Sequence, residues 1–263
     1  MKRLIWALVG PLVALVAGVT LVAAPAVASA DGPADHDGHA AWGQWGGWSP
    51  WGSRYGVEPD LSLVHGVPGL SVDIYVYKNV YQVKKLSNVQ FGTAADLDTA
   101  FPGWVTPGYY VVDVVPAGTS PCHPLLITTV ALGWGQSKTV AAYVTASASG
   151  TAGSPTLGVF ANDVSQTNGA ARVTVRHLAV APTVGVYANG QVAITPAFSN
   201  GQTATAVVPA ASYDVTVTAP NTPTTVYKDL GSVALAADTN TLAFAIGTFP
   251  STFEVVTLVV PTH

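Results

Sequence analysis

The sequence has almost no cysteine and very little charge. Cys122 is its single cysteine, so no disulfide can form within the chain. We interpret Cys122 as a tolerated residue, with a disulfide to another chain as the alternative. Charged residues make up 9% of the sequence and the net charge is −4, which leaves no basic stripe to neutralise phosphates. Nucleic acid is therefore not expected as a partner, and stability must come from ordinary hydrophobic cores.

Motifs that indicate an enzyme are missing as well. The sequence contains no Walker, Rossmann or zinc-protease motif and no Gly-x-Ser-x-Gly turn. Paired β-sheets also fill the space between them with side chains, which argues against a pocket there. We therefore expect a protein that has no catalytic residues and needs no cofactor.

Only the N-terminus is apolar for long enough to cross a bilayer. The chain begins with Lys2 and Arg3, continues apolar to Val27 and then reads Ala-Ser-Ala up to Ala30. A basic start, an apolar centre and small residues at the end predict a signal peptide over residues 1–30, with cleavage two residues earlier as a second possibility. An uncleaved anchor is the competing interpretation, because the apolar run is long enough to span. We expect a secreted or envelope-associated protein whose mature chain has no transmembrane segment.

The rest of the chain has the pattern of an all-β protein. It is rich in Val, Thr and Tyr, with almost no helical spacing of Leu, Glu, Lys or Arg. Short alternating runs separated by turn residues indicate strands, most of them with one solvated face. The predicted strands cover residues 61–65, 72–77, 109–115, 125–132, 139–145 and 156–160, and then 172–177, 184–187, 191–195, 203–208, 213–218, 225–230, 241–246 and 253–260.

Two stretches of the chain are versions of one another. Residues 61–75 and 173–187 align without a gap, and a second block of similarity follows each of them. The first copy carries nine extra residues between the blocks, and such an insertion is expected in a loop. The aligned positions that we expect to play the same structural part in both copies are His65 with His177, Tyr75 with Tyr187, and Tyr110 with Tyr213.

A repeat of about one hundred residues fits whole domains rather than solenoid units. We therefore predict two domains, over residues 58–164 and 170–262. Short strands with frequent turns predict an immunoglobulin-like antiparallel β-sandwich for each, with a small barrel as the alternative. The connector over residues 165–169 is short, so we expect the two domains to abut.

Three stretches of the second copy carry a resemblance to a known family. They are Ala171-Arg-Val-Thr-Val-Arg-His177, Pro182-Thr-Val-Gly-Val-Tyr-Ala-Asn-Gly190 and Val208-Pro-Ala-Ala-Ser-Tyr-Asp-Val-Thr-Val217. Together they resemble the secreted bacterial family known as domain of unknown function 4397, and the first copy matches more loosely. That family usually has an acid in the Val-Asp-Val-Tyr segment, which Asp73 keeps and Gly185 has lost. The resemblance implies an immunoglobulin-like sandwich on exported proteins and no established activity.

A Gly- and Trp-rich segment over residues 31–57 precedes the predicted domains, and we expect it to be flexible. Its tryptophans recur at every third residue, which is the period of a polyproline II helix. On that geometry the rings form one aromatic strip that could bind a glycan or an envelope polymer. A low-complexity linker is the interpretation that we favour. The residues of the strip are Trp42, Trp45, Trp48, Trp51 and Tyr55.

The same segment contains possible metal ligands. His36 and His39 lie among aspartates, and imidazole with carboxylate can hold a transition metal weakly. A firm site needs ligands fixed by neighbouring groups, which a Gly-flanked segment does not supply. We therefore favour a solvated linker here too.

Two further sets of residues invite a functional interpretation. His65 with Asp73 could serve a secreted hydrolase or a metal-dependent enzyme. The recurrence of the histidine as His177 is explained equally well by a hydrogen bond that closes the strand end, and we favour that role. Asn162 and Asp163 could bind a cation between the domains, but no acidic cluster surrounds them in the sequence.

Taken together, these patterns predict a non-catalytic exported protein that binds or adheres at the cell envelope or outside it. The expected partner is an envelope polysaccharide or a surface protein. The alternative is the enzyme that uses His65 and Asp73.

Overall fold

The computed structural model describes residues 57–97 and 103–263, which all fall in one compact unit. The predicted signal peptide and all but the last residue of the predicted flexible segment lie outside the described residues. In the first half, the strands are β1 (Asp60–His65), β2 (Val72–Lys78), β3 (Tyr81–Val89), β4 (Ala94–Asp96), β5 (Gly108–Pro116), β6 (Leu126–Leu132), β7 (Ser137–Ala146) and β8 (Ala152–Asn162).

The second half repeats the same number of strands. They are β9 (Ala170–His177), β10 (Val184–Ala188), β11 (Val192–Phe198), β12 (Thr203–Pro209), β13 (Ala211–Ala219), β14 (Thr222–Leu235), β15 (Thr239–Ile246) and β16 (Glu254–Pro261). The predicted all-β class is therefore confirmed.

The strands form four sheets of four strands each, two in each half. In the first half the orders are β4-β1-β7-β8 and β3-β2-β5-β6. In the second half they are β12-β9-β15-β16 and β11-β10-β13-β14. Each strand of the first half thus has its counterpart eight strands later, in the same place of an equivalent sheet. The prediction of two tandem sandwiches is confirmed, and the predicted domain limits 58–164 and 170–262 stay a prediction, with β8 and β9 on either side of the division.

One pair of strands in each half runs parallel, which refines the predicted antiparallel sandwich. β1 pairs with β7 in parallel, and β9 pairs with β15 in the same way. All other pairings between the strands are antiparallel. Because β1 and β9 open their halves and β7 and β15 come late in them, this pairing brings the start of each half beside its end.

Two strands of the first half were not predicted from the sequence. β3 begins Tyr-Gln-Val-Lys-Lys, and its exposed residues break the alternation of polar and apolar side chains. β4 is only three residues long and gives no recognisable pattern. The Asn189-Gly190 turn joins β10 to β11 with positive φ at both residues, the conformation of a type I′ turn, for which Asn-Gly is a favoured sequence.

Each half has its own apolar interior between its two sheets. The first interior contains Leu61, Ile74, Tyr110 and Val140 among its fully buried side chains. The second contains Val173, Val186, Val217 and Leu235. These interiors follow from the alternation of the strands, since every second residue of a strand points to the same face.

A third apolar cluster joins the two halves. It is formed by side chains on the opposite faces of the sheets β4-β1-β7-β8 and β12-β9-β15-β16, which are buried on both sides as a result. The molecule is therefore a stack of four sheets with three cores. The buried members of the third core are Val64, Ala141, Val164, Leu178, Leu242, Phe244, Ile246 and Val260. The two halves abut, as expected, and the contact between them is a continuous packed layer.

A buried arginine lies at one end of this third core. The Arg176 side chain is 1% exposed, and its guanidinium lies 5.1 Å from the Phe160 ring centre and 5.3 Å from that of Phe244. It donates hydrogen bonds to the carbonyl of Ala161 and to Oδ1 of Asn162. Burial lowers the pKa of Arg176 to about 10. The charge is balanced by two aromatic faces and two oxygen acceptors rather than by a carboxylate.

No helix in the part of the chain that the structure describes is long and apolar enough to cross a membrane.

The third core should couple the two halves in unfolding. Phe244→Ala removes a fully buried ring and should lower the free energy of unfolding by about 3–5 kcal/mol. Trp104 and Trp134 both lie in the first half, and residues 170–263 contain no tryptophan. In urea titrations of the wild type, tryptophan fluorescence and far-UV circular dichroism should therefore coincide, whereas in Phe244→Ala they should separate.

Phe198→Ala is the matched control, because Phe198 lies in the interior of the second half rather than in the third core. It should destabilise the protein but leave the two transitions coincident. Coincident transitions in Phe244→Ala as well would show that the halves are not coupled through this layer.

Candidate functional site

The repeated histidines close the ends of equivalent strands. Nε2 of His65 lies 2.7 Å from the carbonyl oxygen of Leu70, and Nε2 of His177 lies 3.0 Å from that of Pro182. Each ring therefore donates to a carbonyl five residues further along the chain. Both rings are buried, at the ends of β1 and β9. Burial lowers the pKa of both imidazoles, so the neutral forms are favoured.

Asp73 is engaged by groups other than His65. Its Oδ1 accepts the backbone N–H of Asn88 at 2.8 Å, and its Oδ2 lies 3.1 Å from Nζ of Lys85. The hydrogen bond from Asn88 lowers the pKa of Asp73, and Lys85 adds to that effect. The carboxylate joins β2 to β3, so the geometry does not support the pairing of His65 with Asp73 that the enzyme alternative requires.

Asn162 and Asp163, the residues considered for a cation site between the halves, contact arginine side chains. Asp163 forms an ion pair with Arg172, with Nε and Oδ2 3.3 Å apart. Asn162 accepts from Arg176. Two cationic groups here disfavour a bound cation. In the described residues, no cluster of three or more His, Cys, Asp or Glu side chains is arranged to hold a metal.

The aligned tyrosines make equivalent corner contacts. The Tyr110 hydroxyl donates to the Thr106 carbonyl at 2.6 Å and accepts the Thr106 N–H at 2.9 Å. The Tyr213 hydroxyl donates to the Pro209 carbonyl at 2.8 Å. Both contacts span four residues, as in the tyrosine corner of immunoglobulin-like domains. Tyr75 and Tyr187 also occupy equivalent places, on β2 and β10, and both are buried.

The outer face of the sheet β3-β2-β5-β6 is aromatic and apolar. Because Val76, Tyr110 and Leu126 point into the first interior, their neighbours along the strands point outward. Tyr109 is 70% exposed and Ile127 is 62% exposed. The residues of β2, β5 and β6 that point to this side include Tyr75 and Asp113, which are covered by their neighbours, and Tyr77, Tyr109, Val111, Ile127 and Thr129. We call this set the tyrosine face.

Charged groups lie among the rings of the tyrosine face. Tyr75 and Tyr77 stack with ring centres 6.5 Å apart, and Nζ of Lys85 lies 5.0 Å from the centre of the Tyr75 ring. Asp113 stands directly opposite Tyr75 in the neighbouring strand, and burial raises its pKa. Burial, together with Asp113, also raises the pKa of Tyr77. The surface therefore combines flat rings with hydrogen-bonding groups.

The equivalent face of the second half is polar. Asn189 stands where the first half has Tyr77, Ser212 where it has Tyr109, and Asp214 where it has Val111. The side-chain oxygen of Asn189 accepts the backbone N–H of Asp214. Since the two halves share one fold, the aromatic surface is a property of the first copy alone and is not required by the fold.

The interior of the second half corrects another expectation. Sheets were expected to fill the space between them, but the second half contains a cavity of about 280 Å³ between its two sheets. A smaller cavity of about 230 Å³ lies beside His65 in the first half. Asp73 does not line that smaller cavity, so it offers no support for the enzyme alternative.

Among the remaining residues that the sequence singled out, the structure describes Cys122 but not the others. Cys122 is exposed, and its sulfur accepts a hydrogen bond from the Ser120 hydroxyl. Its pairing with another chain stays a prediction. Two groups lie outside the described residues, namely the aromatic strip (Trp42, Trp45, Trp48, Trp51 and Tyr55) and the possible metal ligands (His36 and His39).

Comparison with known proteins finds a family and distant structural neighbours. Residues 59–187 match the family described as Domain of unknown function (DUF4397). The match runs from just before β1 to the penultimate residue of β10, so it crosses from the first half into the second. No curated protein matches the chain.

Solved structures resemble the chain at low identity. A candidate cell adhesion protein from Bacteroides ovatus ATCC 8483 is 8% identical, with 79% of this chain and 99% of that chain covered and a TM-score of 0.26. A family CBM26 module from Eubacterium rectale Amy13K, solved with maltoheptaose, is 14% identical, with 78% and 97% covered and a TM-score of 0.24. A candidate cell adhesion protein from Bacteroides uniformis ATCC 8492 is 12% identical, with 78% and 98% covered and a TM-score of 0.24. Scores this low carry no argument about function.

Acid should destabilise the protein through His65 and His177. Their pKa values lie below the ordinary value of 6.5 in the folded state, so the unfolded chain binds these protons more readily. Their contribution to stability is fully present above about pH 6.5 and is lost as the pH falls below it. The double variant His65→Gln/His177→Gln should be less stable at neutral pH and should show a weaker pH dependence of the free energy of unfolding.

Urea denaturation at several values between about pH 7 and pH 5 measures this difference. Burial raises the pKa of Asp113 and Glu254, which acts in the opposite sense, but both groups are present in both proteins. Equal pH dependence in the wild type and the double variant would contradict the assignment.

The two corner tyrosines should differ in their contribution to stability. Tyr110→Phe leaves the Thr106 N–H without its acceptor, so we expect a loss of about 1–3 kcal/mol. Tyr213→Phe removes one hydrogen bond and should cost about 1 kcal/mol. Thermal and urea unfolding of the two variants measure the difference, and a larger loss in Tyr213→Phe would contradict it.

Proposed function

We propose that this chain, which carries a domain of the DUF4397 family over residues 59–187, is an exported, non-catalytic protein that binds an envelope polysaccharide. The tyrosine face of the first half is the surface through which it binds. The single observation that carries the proposal is the contrast between this face and its polar counterpart in the second half.

The chemistry of the tyrosine face suits a sugar polymer. A tyrosine ring offers a flat apolar surface together with a hydroxyl that needs a hydrogen-bond partner, and a pyranose ring offers a flat C–H face edged by hydroxyls. Tyr77 and Tyr109 supply partly and largely exposed rings, while Gln82, opposite Tyr77 on β3, supplies an exposed amide. A protein partner would be the alternative ligand for the same surface.

The contacts of the ionisable residues within the fold also agree with a binding role. His65 and His177 hold strand ends, Asp73 holds β2 to β3, and Asp163 pairs with Arg172. Each is committed to a contact within the fold, and catalysis would need such a group to face a substrate. The four-layer stack then serves as a stiff support for the surface.

The proposal predicts that binding depends on Tyr77 and Tyr109. The double variant Tyr77→Asn/Tyr109→Ser places the residues of the second half on the first, so the backbone is expected to accept them. Retention of the mature chain on purified cell wall, and its signal on a glycan array, should fall by at least about tenfold, which corresponds to about 1.4 kcal/mol. Unchanged retention would remove the tyrosine face from the proposal.

Val259→Ser is the matched control, because Val259 is an exposed apolar residue on β16, far in sequence from the tyrosine face. It should bind like the wild type. Retention on purified cell wall without a signal on the glycan array, or retention abolished by protease treatment of the wall, would indicate a protein partner.

The predicted aromatic strip is a second candidate for the same role. A chain that begins at Glu58 lacks Trp42, Trp45, Trp48, Trp51 and Tyr55. If the strip contributes, this chain should bind more weakly than the mature protein. The double variant Tyr77→Asn/Tyr109→Ser, made in this shorter chain, should bind more weakly still. Equal retention of the two lengths would assign binding to the described residues alone.

A further inference from the structure

The cavity in the second half lies between its two sheets and is almost entirely apolar. Its walls come from both sheets, and its only polar side chains at the wall are those of Arg176, Tyr213, Thr241 and Thr257. Arg176 belongs to the wall by position, while its guanidinium lies in the third core with Phe160 and Phe244. A volume of about 280 Å³ is far above the voids that packed interiors leave.

Several side chains of the second interior are smaller than their counterparts in the first, which leaves room for the cavity. The strand registers of the two halves align position by position, so the comparison is direct. In each of the following pairs, a residue of the first interior is named before its counterpart in the second. The pairs are Leu61 and Val173, Leu63 and Val175, Ile74 and Val186, Val76 and Ala188, and Val140 and Ala243. Leu97, one residue beyond β4, continues the register that places Asp96 at Thr205 and so corresponds to Ala206.

The first half also has a plug that the second half lacks. Trp104 packs edge-on against Tyr110 with ring centres 6.2 Å apart, and its indole N–H donates to the Leu97 carbonyl. Val105 beside it is fully buried. These residues belong to the connection between β4 and β5. In the second half, a single residue, Ala210, joins β12 to β13, so nothing corresponds to Trp104 there.

The missing plug places the mouth of the cavity beside Tyr213, the counterpart of Tyr110. Val192 lines the cavity at this end, opposite Ala188, and yet is 58% exposed. The opposite end is closed by aromatic rings, since Phe198 packs against His177 with ring centres 5.4 Å apart. The cavity is thus an apolar pocket between the two sheets that reaches solvent beside Val192.

We infer that the second half binds an acyl chain in this cavity, with the polar end of the ligand outside the rim. A buried polar group of the ligand would find few partners on such a wall, which excludes sugars and peptides from the interior. The volume corresponds to roughly nine water molecules in the liquid, so it suits a medium-length hydrocarbon chain. The chain could belong to a free fatty acid or to an envelope lipid, and the chemistry of recognition is the same.

The test uses the mature full-length protein and N-phenyl-1-naphthylamine, a small apolar fluorophore. The wild type should enhance its fluorescence in a saturable manner at one site per chain, and decanoic acid should displace it. The triple variant Ala188→Val/Ala206→Leu/Ala243→Val restores the side chains of the first half. It should bind at least tenfold more weakly while its melting temperature stays the same or rises, because the cavity is filled.

Ala234→Leu is the matched control, since Ala234 is exposed on β14 and does not line the cavity. It should bind the fluorophore like the wild type. If the triple variant does not fold, the single variant Ala206→Leu takes its place in the test. This one substitution should also weaken binding of the fluorophore. Displacement by decanoic acid but not by phospholipid vesicles assigns a free fatty acid, and the reverse assigns a lipid.

No saturable binding by the wild type, or equal binding by the wild type and the filled variants, would overturn the inference. The variants of the tyrosine face should leave fluorophore binding unchanged. Polysaccharide binding by that face and acyl-chain binding in the cavity can therefore be tested and rejected independently.

Discussion

The structure depends on the burial of both faces of its two central sheets. The sheets β4-β1-β7-β8 and β12-β9-β15-β16 each contribute one face to the interior of their own half and the other to the third core. Phe244 and Ile246 on β15 have no other place to be buried, because their neighbours along the strand already point into the second interior. Neither half would be a complete soluble domain with this face exposed.

The alternation of residues predicted the class, the duplication and most strands, because half-buried strands show a period of two. The central strands do not follow this pattern, because both of their faces are buried. Thr174 and Arg176 on β9 are polar and yet buried, since they face the third core, where Thr174 pairs with Thr205 and Arg176 contacts Asn162 and the Phe160 ring. A sequence pattern cannot distinguish such a residue from one that faces water, so the joint between the halves was expected only as an abutment.

The candidate sites were harder to predict than the fold, for a related reason. His65 and His177 attracted attention because they recur, but recurrence in a duplicated chain marks what both copies need for folding. The sites proposed here lie where the copies differ. Tyr109 and Ser212, or Val140 and Ala243, are unremarkable in the sequence until the strand registers show that they occupy the same place. A duplicated fold provides its own internal reference, and departures from it are informative.

The joint between the halves is also asymmetric. The position that Arg176 occupies on β9 is filled by Val64 on β1. Two copies of the second half could not meet through this surface, because two guanidinium groups would be buried against each other without an acid. Two copies of the first half would leave Asn162 without the arginine that it accepts from. When many nascent chains emerge together, each half therefore pairs better with an unlike half, and the short connection over residues 163–169 makes the one in its own chain the nearest.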